Sequence, residues 1–259
     1  MKKATLITGA SGGLGLEFAK LFARDGHDLV LVARSEGKLY AIKNKLENRY
    51  PIHVYVCAQD LSEKDAAYEV FDFTMEEELF IDYLVNNAGF GDFGKFSESD
   101  LQKQTDMVNV NITALMQMCH LFLNPMLEKG EGHILNLCSI AGFEPGPLMS
   151  VYYATKAFVL SFTQALAKEL EGTGVSITAL CPGPTKTGFE THANLGSSGL
   201  FKNLKNASAS SVAKYGYQQL KSGKTVVVPG AVNKVIAFAA PRLPKKFVRN
   251  FVYNLQKQK

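Results

Sequence analysis

Continuous apolar runs and longer amphipathic stretches alternate along this chain. Ala4–Thr8, Asp28–Ala33, His53–Cys57, Ile81–Asn86, Gly132–Leu137 and Val175–Leu180 are short and largely apolar, the pattern of strands buried on both faces. Between them, Leu14–Asp25, Glu36–Arg49, Lys64–Glu78, Asp100–Lys129 and Val151–Leu170 carry apolar residues at helical spacing, the first closing at Gly26. Strands separated by helices imply βαβ units, a parallel sheet covered on both faces, and right-handed crossovers. The expected fold class is a single α/β domain over residues 1–259, a doubly wound parallel sheet with no repeat and no interdomain linker.

Beyond Pro182 the alternation loosens. Thr191–Ser211 is rich in Asn, Ser, Gly and Lys, which suits a mobile lid or short helices within a substrate region of about 188–224. Ser210–Lys221 reads as a short helix, capped by Ser210 or Ser211 and ended by Gly223. Thr225–Val228 reads as a last strand. Pro241–Lys259 is basic and amphipathic, with Phe247, Val248, Phe251, Val252 and Leu255 at helical spacing. Such a tail packs on the body or on a partner, or lies on a membrane surface.

Composition narrows the class. Of 259 residues, 46% are hydrophobic and 20% charged, the balance of a folded globular chain able to bury a core. No apolar run approaches the ~20 residues of a membrane helix. Gly9, Ser11, Gly12 and Gly13 interrupt the first apolar run too early for a signal peptide, so a cytoplasmic location is expected. Cys57, Cys119, Cys138 and Cys181 are far apart and read as reduced, buried residues. The five histidines lack ligand spacing, so no metal is expected; nor is a nucleic-acid partner. Charge is distributed unevenly. Twelve of the 28 Lys/Arg and none of the 24 Asp/Glu follow Glu190, leaving 16 basic against 24 acidic residues before Thr191. This asymmetry is either a solvated basic face or a site for an anionic partner: a phosphate-bearing substrate, a carrier or a membrane surface.

Three clusters carry chemistry. Thr8-Gly9-Ala10-Ser11-Gly12-Gly13-Leu14-Gly15 joins the first strand to the first helix. Glycines there let the backbone approach a pyrophosphate, which the helix N-terminus attracts with its free N–H groups. The context is that of a Rossmann-type dinucleotide site, although the spacing is G-x-x-x-G-x-G. At the end of the second strand, where an NAD-selective site has an acid, stands Ala33-Arg34-Ser35. An arginine there can grip a 2′-phosphate, which favours NADP(H). Finally, Tyr152 and Lys156 lie one helical turn apart, with Ser139 at the end of the preceding strand. An ammonium beside a phenol is expected to lower the phenol pKa, and a hydroxyl can hold a substrate oxygen where charge develops.

Together these clusters resemble the short-chain dehydrogenase/reductase family, over nearly the whole chain. The glycine motif, including Gly9, Ser11, Gly12, Gly13, Leu14 and Gly15, matches the family's cofactor turn. Asp60-Leu61 matches its adenine-side acid, and Asn86-Asn87-Ala88-Gly89 its Asn-Asn-Ala-Gly segment. Asn111, Ser139, Tyr152 and Lys156 match its catalytic set. Pro182-Gly183-Pro184-Thr185-Lys186-Thr187 matches the segment along the nicotinamide and pyrophosphate. Gly12 departs from NADP(H) members that carry a further basic residue there, so phosphate selectivity would rest on Arg34 and Ser35.

The resemblance implies an NADP(H)-dependent oxidoreductase that transfers hydride between cofactor and a carbonyl or secondary alcohol. Tyr152 is then the acid/base, Lys156 tunes it and holds the nicotinamide ribose, Ser139 orients the substrate oxygen, and Asn111 holds a relay water. It also implies a homodimer or homotetramer. Phe143, Pro145, Leu148, Met149, Phe189, Leu200 and Phe201 suggest an apolar wall for a hydrophobic ketone, aldehyde, acyl or steroid-like compound. The alternative is a non-catalytic NADP(H)-binding sensor or scaffold, against which the intact set of four polar residues argues.

Overall fold

The computed structural model describes residues 1–189, 193 and 207–257. Its centre is a seven-stranded, wholly parallel sheet. In chain order the strands are β1 (Lys2–Thr8), β2 (Asp28–Ala33), β3 (Val54–Ala58), β4 (Leu79–Asn86), β5 (Gly132–Leu137) and β6 (Val175–Leu180). The two-residue β7 (Thr185–Lys186) and β8 (Ala207–Ser208) pair apart from the sheet, and β9 (Val226–Val227) closes its far edge. The spatial order β3-β2-β1-β4-β5-β6-β9 reverses direction between β1 and β4. In a doubly wound sheet that reversal opens a crevice at the carboxyl ends of the strands, where ligands bind.

Helices α1 (Gly13–Arg24), α2 (Glu36–Glu47), α3 (Ala66–Glu76), α4 (Leu101–Val108), α5 (Leu115–Lys129), α6 (Ser150–Glu169) and α7 (Ala209–Lys221) cover both faces. One core layer joins α3, α5 and α6 to the sheet through Val70, Met118, Phe122 and Val159. The other joins α1, α2 and α7 through Phe18, Phe22, Leu39 and Tyr217. The expected Rossmann-type fold is therefore the observed one.

Several local features differ from expectation. The long helix over Asp100–Lys129 is broken by a wider π turn at Asn109–Ala114. Helix α7 begins one residue earlier than expected, because the Ser208 hydroxyl accepts from Ser211 N at 3.2 Å. Its Val212, Ala213, Tyr217 and Leu220 are buried against α1, so this part of residues 188–224 packs into the core. Two further helices follow: α8 (Ala231–Ala239), which the apolar pattern did not reveal, and α9 (Lys245–Gln256). In α9 the inward face is Val248, Val252 and Gln256, whereas Phe247 and Phe251 point to solvent.

Candidate active site

At the carboxyl end of β1, backbone packs on backbone. Gly9 has a left-handed φ of +64°, and a Cβ there would fall 2.8 Å from Asn87 Nδ2. Gly15 faces the Gly9 carbonyl so closely that no side chain fits between them. The Asn87 amide donates to Thr8 O at 2.8 Å and Gly9 O at 3.3 Å. In return Thr8 Oγ1 accepts from the N–H groups of Asn87 and Ala88, both at 2.9 Å. The turns after β1 and β4 thus form one rigid unit at the sheet's reversal point. Gly12 precedes α1 without any side-chain cap, and the space where its Cβ would point is open for 4 Å. An uncapped helix start beside open space is suited to a phosphate. Ser11 stands in the same turn, while Leu14 anchors it in the core. A Cβ on Gly13 would lie 3.1 Å from Thr187, so the Pro182–Thr187 segment closes the turn from the far side.

Arg34 and Ser35 follow β2, and Asp60 and Leu61 follow β3. The Arg34 side chain is 74% exposed, and its Nη1 lies 3.6 Å from Asp60 Oδ2, a loose pair. Partial burial would raise the Asp60 carboxyl, but hydrogen bonds from Ser62 N (3.0 Å) and Oγ (2.7 Å), with the Arg34 charge, hold it below the ordinary aspartate value. Leu61 is buried beneath.

The four polar residues converge beside this groove. Lys156 is buried, and its Nζ donates to Leu137 O at 2.7 Å while standing 5.7 Å from the centre of the Tyr152 ring. Burial pushes its pKa down to about 8. The Ser139 hydroxyl lies beside the Tyr152 phenol, accepts from Ala141 N at 3.1 Å, and donates to Pro182 O at 3.4 Å. Asn111, in the π turn, has its amide committed: Nδ2 donates to Phe90 O (2.9 Å) and Thr155 Oγ1 (3.1 Å), and Oδ1 accepts from Phe90 N (3.1 Å). Gly89 leaves room between them, since a Cβ there would lie 2.9 Å from Asn111 Oδ1 and 3.6 Å from Lys156 Nζ. The expected lowering of the Tyr152 pKa is not observed. Desolvation pushes the phenol well above its ordinary value, only partly offset by Ser139, because Lys156 is turned to Leu137 O. The phenol is consequently held in its neutral form.

An apolar wall faces this cluster. The Phe189 ring packs 5.4 Å from that of Tyr152, and Met149, Tyr153, Ala193, Val248 and Val252 complete the cluster. Tyr153 is packing; its hydroxyl accepts from the buried Gln256 Nε2 at 2.7 Å. Phe143 and Leu148 are half-buried and Pro145 is exposed. Leu200 and Phe201 lie outside the described residues, as does most of the Thr191–Phe201 stretch. Glu144, on the same loop, is half-buried, and burial alone pushes its carboxyl up to about 7.

Residues 3–197 match the family model for short chain dehydrogenases. The chain belongs to the short-chain dehydrogenase family. An uncharacterised oxidoreductase of Staphylococcus saprophyticus is 35% identical over 185 residues, covering 71% of this chain and 79% of that one. Among solved structures, a short-chain dehydrogenase from Sphingobium yanoikuyae in complex with NADPH is 30% identical with a TM-score of 0.83, covering 93% of this chain and 94% of that one. A bulky-bulky ketone specific alcohol dehydrogenase from Comamonas testosteroni is 29% identical with a TM-score of 0.79, over 93% and 92% of the two chains.

This short-chain dehydrogenase thus has an oxidoreductase fold that takes a nicotinamide cofactor, and its residues fit one. The uncapped start of α1, the open space at Gly12 and the close approach at Gly15 make a phosphate cradle. The bonding roles of two residues escaped sequence reasoning. Thr8 ties the glycine turn to Asn87, and Thr155 fixes Asn111. A threonine ending a buried strand carries no distinctive pattern, and Thr155 reads as an ordinary helix residue between Tyr152 and Lys156. Val248 and Val252 were legible as part of an apolar stripe, but not as neighbours of Met149 and Tyr152.

Proposed function

We propose that this enzyme transfers hydride between NADP(H) and a carbonyl or secondary alcohol on a hydrophobic substrate. The observation that carries the reading is the neutral Tyr152 phenol, beside Ser139 and backed by buried Lys156, between a phosphate cradle and an apolar wall. A bound nicotinamide supplies or accepts the hydride. Ser139 orients the substrate oxygen, and Tyr152 gives its proton to that oxygen as negative charge develops. Lys156, charged below about pH 8, stabilises the phenolate left behind and holds the nicotinamide ribose. Because the Asn111 amide is committed to Phe90 and Thr155, the relay water falls to its main-chain carbonyl. In the oxidative direction the same groups run in reverse.

NADP(H) is favoured over NAD(H) by Arg34, whose largely exposed guanidinium stands at the end of β2 where an acid would repel the 2′-phosphate. Gly9, Ser11, Gly12, Gly13, Leu14 and Gly15 take the pyrophosphate side. Ser35, Asp60 and Leu61 take the adenosine side. Asn87, Ala88, Gly89, Pro182, Gly183, Thr185 and Thr187 line the path to Tyr152. An apolar groove of about 520 Å³ between α4 and α6, lined by Val108, Ile112, Val151, Ala154 and Phe158, supports a homodimer or homotetramer built through these helices. We place the enzyme in the cytoplasm; no helix among the described residues is long and apolar enough to cross a membrane.

The test is cofactor oxidation with a panel of aliphatic, aromatic and polycyclic ketones and aldehydes, run with NADPH and with NADH. The expected result is turnover of bulky ketones with NADPH preferred. NADPH binding without turnover of any carbonyl, and without oxidation of any alcohol by NADP, would favour a sensor instead.

A further inference from the structure

We propose that the outward faces of α8 and α9 dock this enzyme on an anionic lipid surface. Helix α8 has no fully buried residue. Its Val232, Val235 and Phe238 share one face and are 68%, 67% and 65% exposed. One turn later, exposed Leu243 leads into α9, where Phe247 and Phe251 stand one helical turn apart. Their rings stack with centroids 6.5 Å apart, forming an apolar ridge on the surface. Isolated exposed apolar residues are ordinary, but six large ones in twenty residues are a patch that water does not favour.

Charge decides the occupant. Lys234, Arg242, Lys245, Lys246, Arg249 and Lys257 are interleaved with that patch, and none forms an ion pair among the described residues. The Arg242 guanidinium lies 3.8 Å over the Phe238 ring, its charged end beside apolar surface. A second copy meeting this face with its own would bring two basic segments together, since the chain has no acidic residue after Glu190. Protruding aromatic side chains flanked by long-stemmed cations match the interface of a lipid layer. There the rings enter the acyl boundary and the cations reach the phosphates. The inward face of α9, Val248 and Val252, packs on Met149 and Tyr153, so the same helix that meets the lipid also walls the apolar cleft. Docking does not depend on the hydride-transfer reading, and its test uses no activity.

Full-length protein is co-sedimented with vesicles of phosphatidylcholine alone or mixed in equal parts with phosphatidylglycerol. The wild type is expected to pellet at least about tenfold more strongly with the anionic vesicles, and to be released by high salt. Phe247→Ser/Phe251→Ser and Lys245→Glu/Lys246→Glu/Arg249→Glu are each expected to lose most of this binding. Because these side chains are exposed, both variants should keep the wild-type melting temperature, which serves as the folding control. Equal pelleting on the two vesicle types, or wild-type pelleting by Phe247→Ser/Phe251→Ser, overturns the proposal. So does sedimentation velocity in which that double variant turns a dimer into a monomer, or an acidic acyl-carrier protein binding this face when vesicles do not.

Discussion

On one side of Tyr152, the turn after β1 has almost no side chains; on the other, α9 meets the cleft with side chains alone. Gly9, Gly15 and the Asn87 amide interlock through backbone atoms, leaving no space for a methyl group. Val248, Val252 and Gln256 instead reach in from a helix whose opposite face is open to solvent. The first arrangement holds something constant, since the phosphate and ribose of a cofactor do not vary. On the proposed function, the second lines the space for the substrate with side chains. Charge follows the same division: the acidic residues lie before Thr191, and the segment after it is wholly basic.

This contrast can be broken at either end. Gly15→Ala forces a Cβ into the Gly9 carbonyl, so it should abolish NADPH binding and lower stability by about 1–3 kcal/mol, measured by denaturant unfolding. Gly12→Ala, where space is open, should keep the wild-type stability and weaken only NADPH binding; equal unfolding of the two variants would refute the division between packed and open glycines. Arg34→Ala removes an exposed cation and should weaken NADPH binding about tenfold to a hundredfold, a loss of about 1.5–3 kcal/mol, with NADH unaffected in titration. At the other wall, Val252→Ala should raise KM for bulky ketones several-fold while leaving the NADPH dissociation constant unchanged. Parallel changes in both would mean that the two walls are not independent.

The smallest effect concerns Glu144. Burial pushes its carboxyl from 4.5 up to about 7 in the folded protein. A carboxyl whose folded pKa is raised contributes its full stability below the unfolded value and loses it as pH rises through the folded one. Glu144→Gln should therefore raise the melting temperature by a few degrees above about pH 7 and change it little near pH 5, read by thermal melts at both.

The sheet was legible because its strands are buried on both faces and therefore run apolar without alternation, as in Leu29-Val30-Leu31-Val32. The polar cluster was legible because Ser139, Tyr152 and Lys156 sit on consecutive elements with fixed spacing. Legibility failed where tertiary contacts decide. The π turn at Asn109–Ala114 coincides with the Asn111 amide bonding to the Phe90 peptide, a partner 21 residues away. Helix α8 carries Val232, Val235 and Phe238 on one face, but only Gly230 stands at its start and no side-chain cap announces it. In α9 the stripe was visible, but the sequence left open which side it faces; its widest apolar residues, Phe247 and Phe251, face outward. The lowered phenol expected from the Tyr152 and Lys156 spacing failed for a similar reason: Leu137 O, from the neighbouring strand, takes the lysine.

The central claim is that Tyr152 donates the proton that accompanies hydride transfer. Its direct test compares wild type and Tyr152→Phe with a ketone that the wild type reduces, measuring NADPH binding by fluorescence titration and NADPH oxidation by absorbance. Loss of one acid/base group is worth about 10²–10⁴ in rate, so turnover should fall by at least that factor while the NADPH dissociation constant stays within about threefold. Turnover of Tyr152→Phe at the wild-type rate would contradict the claim.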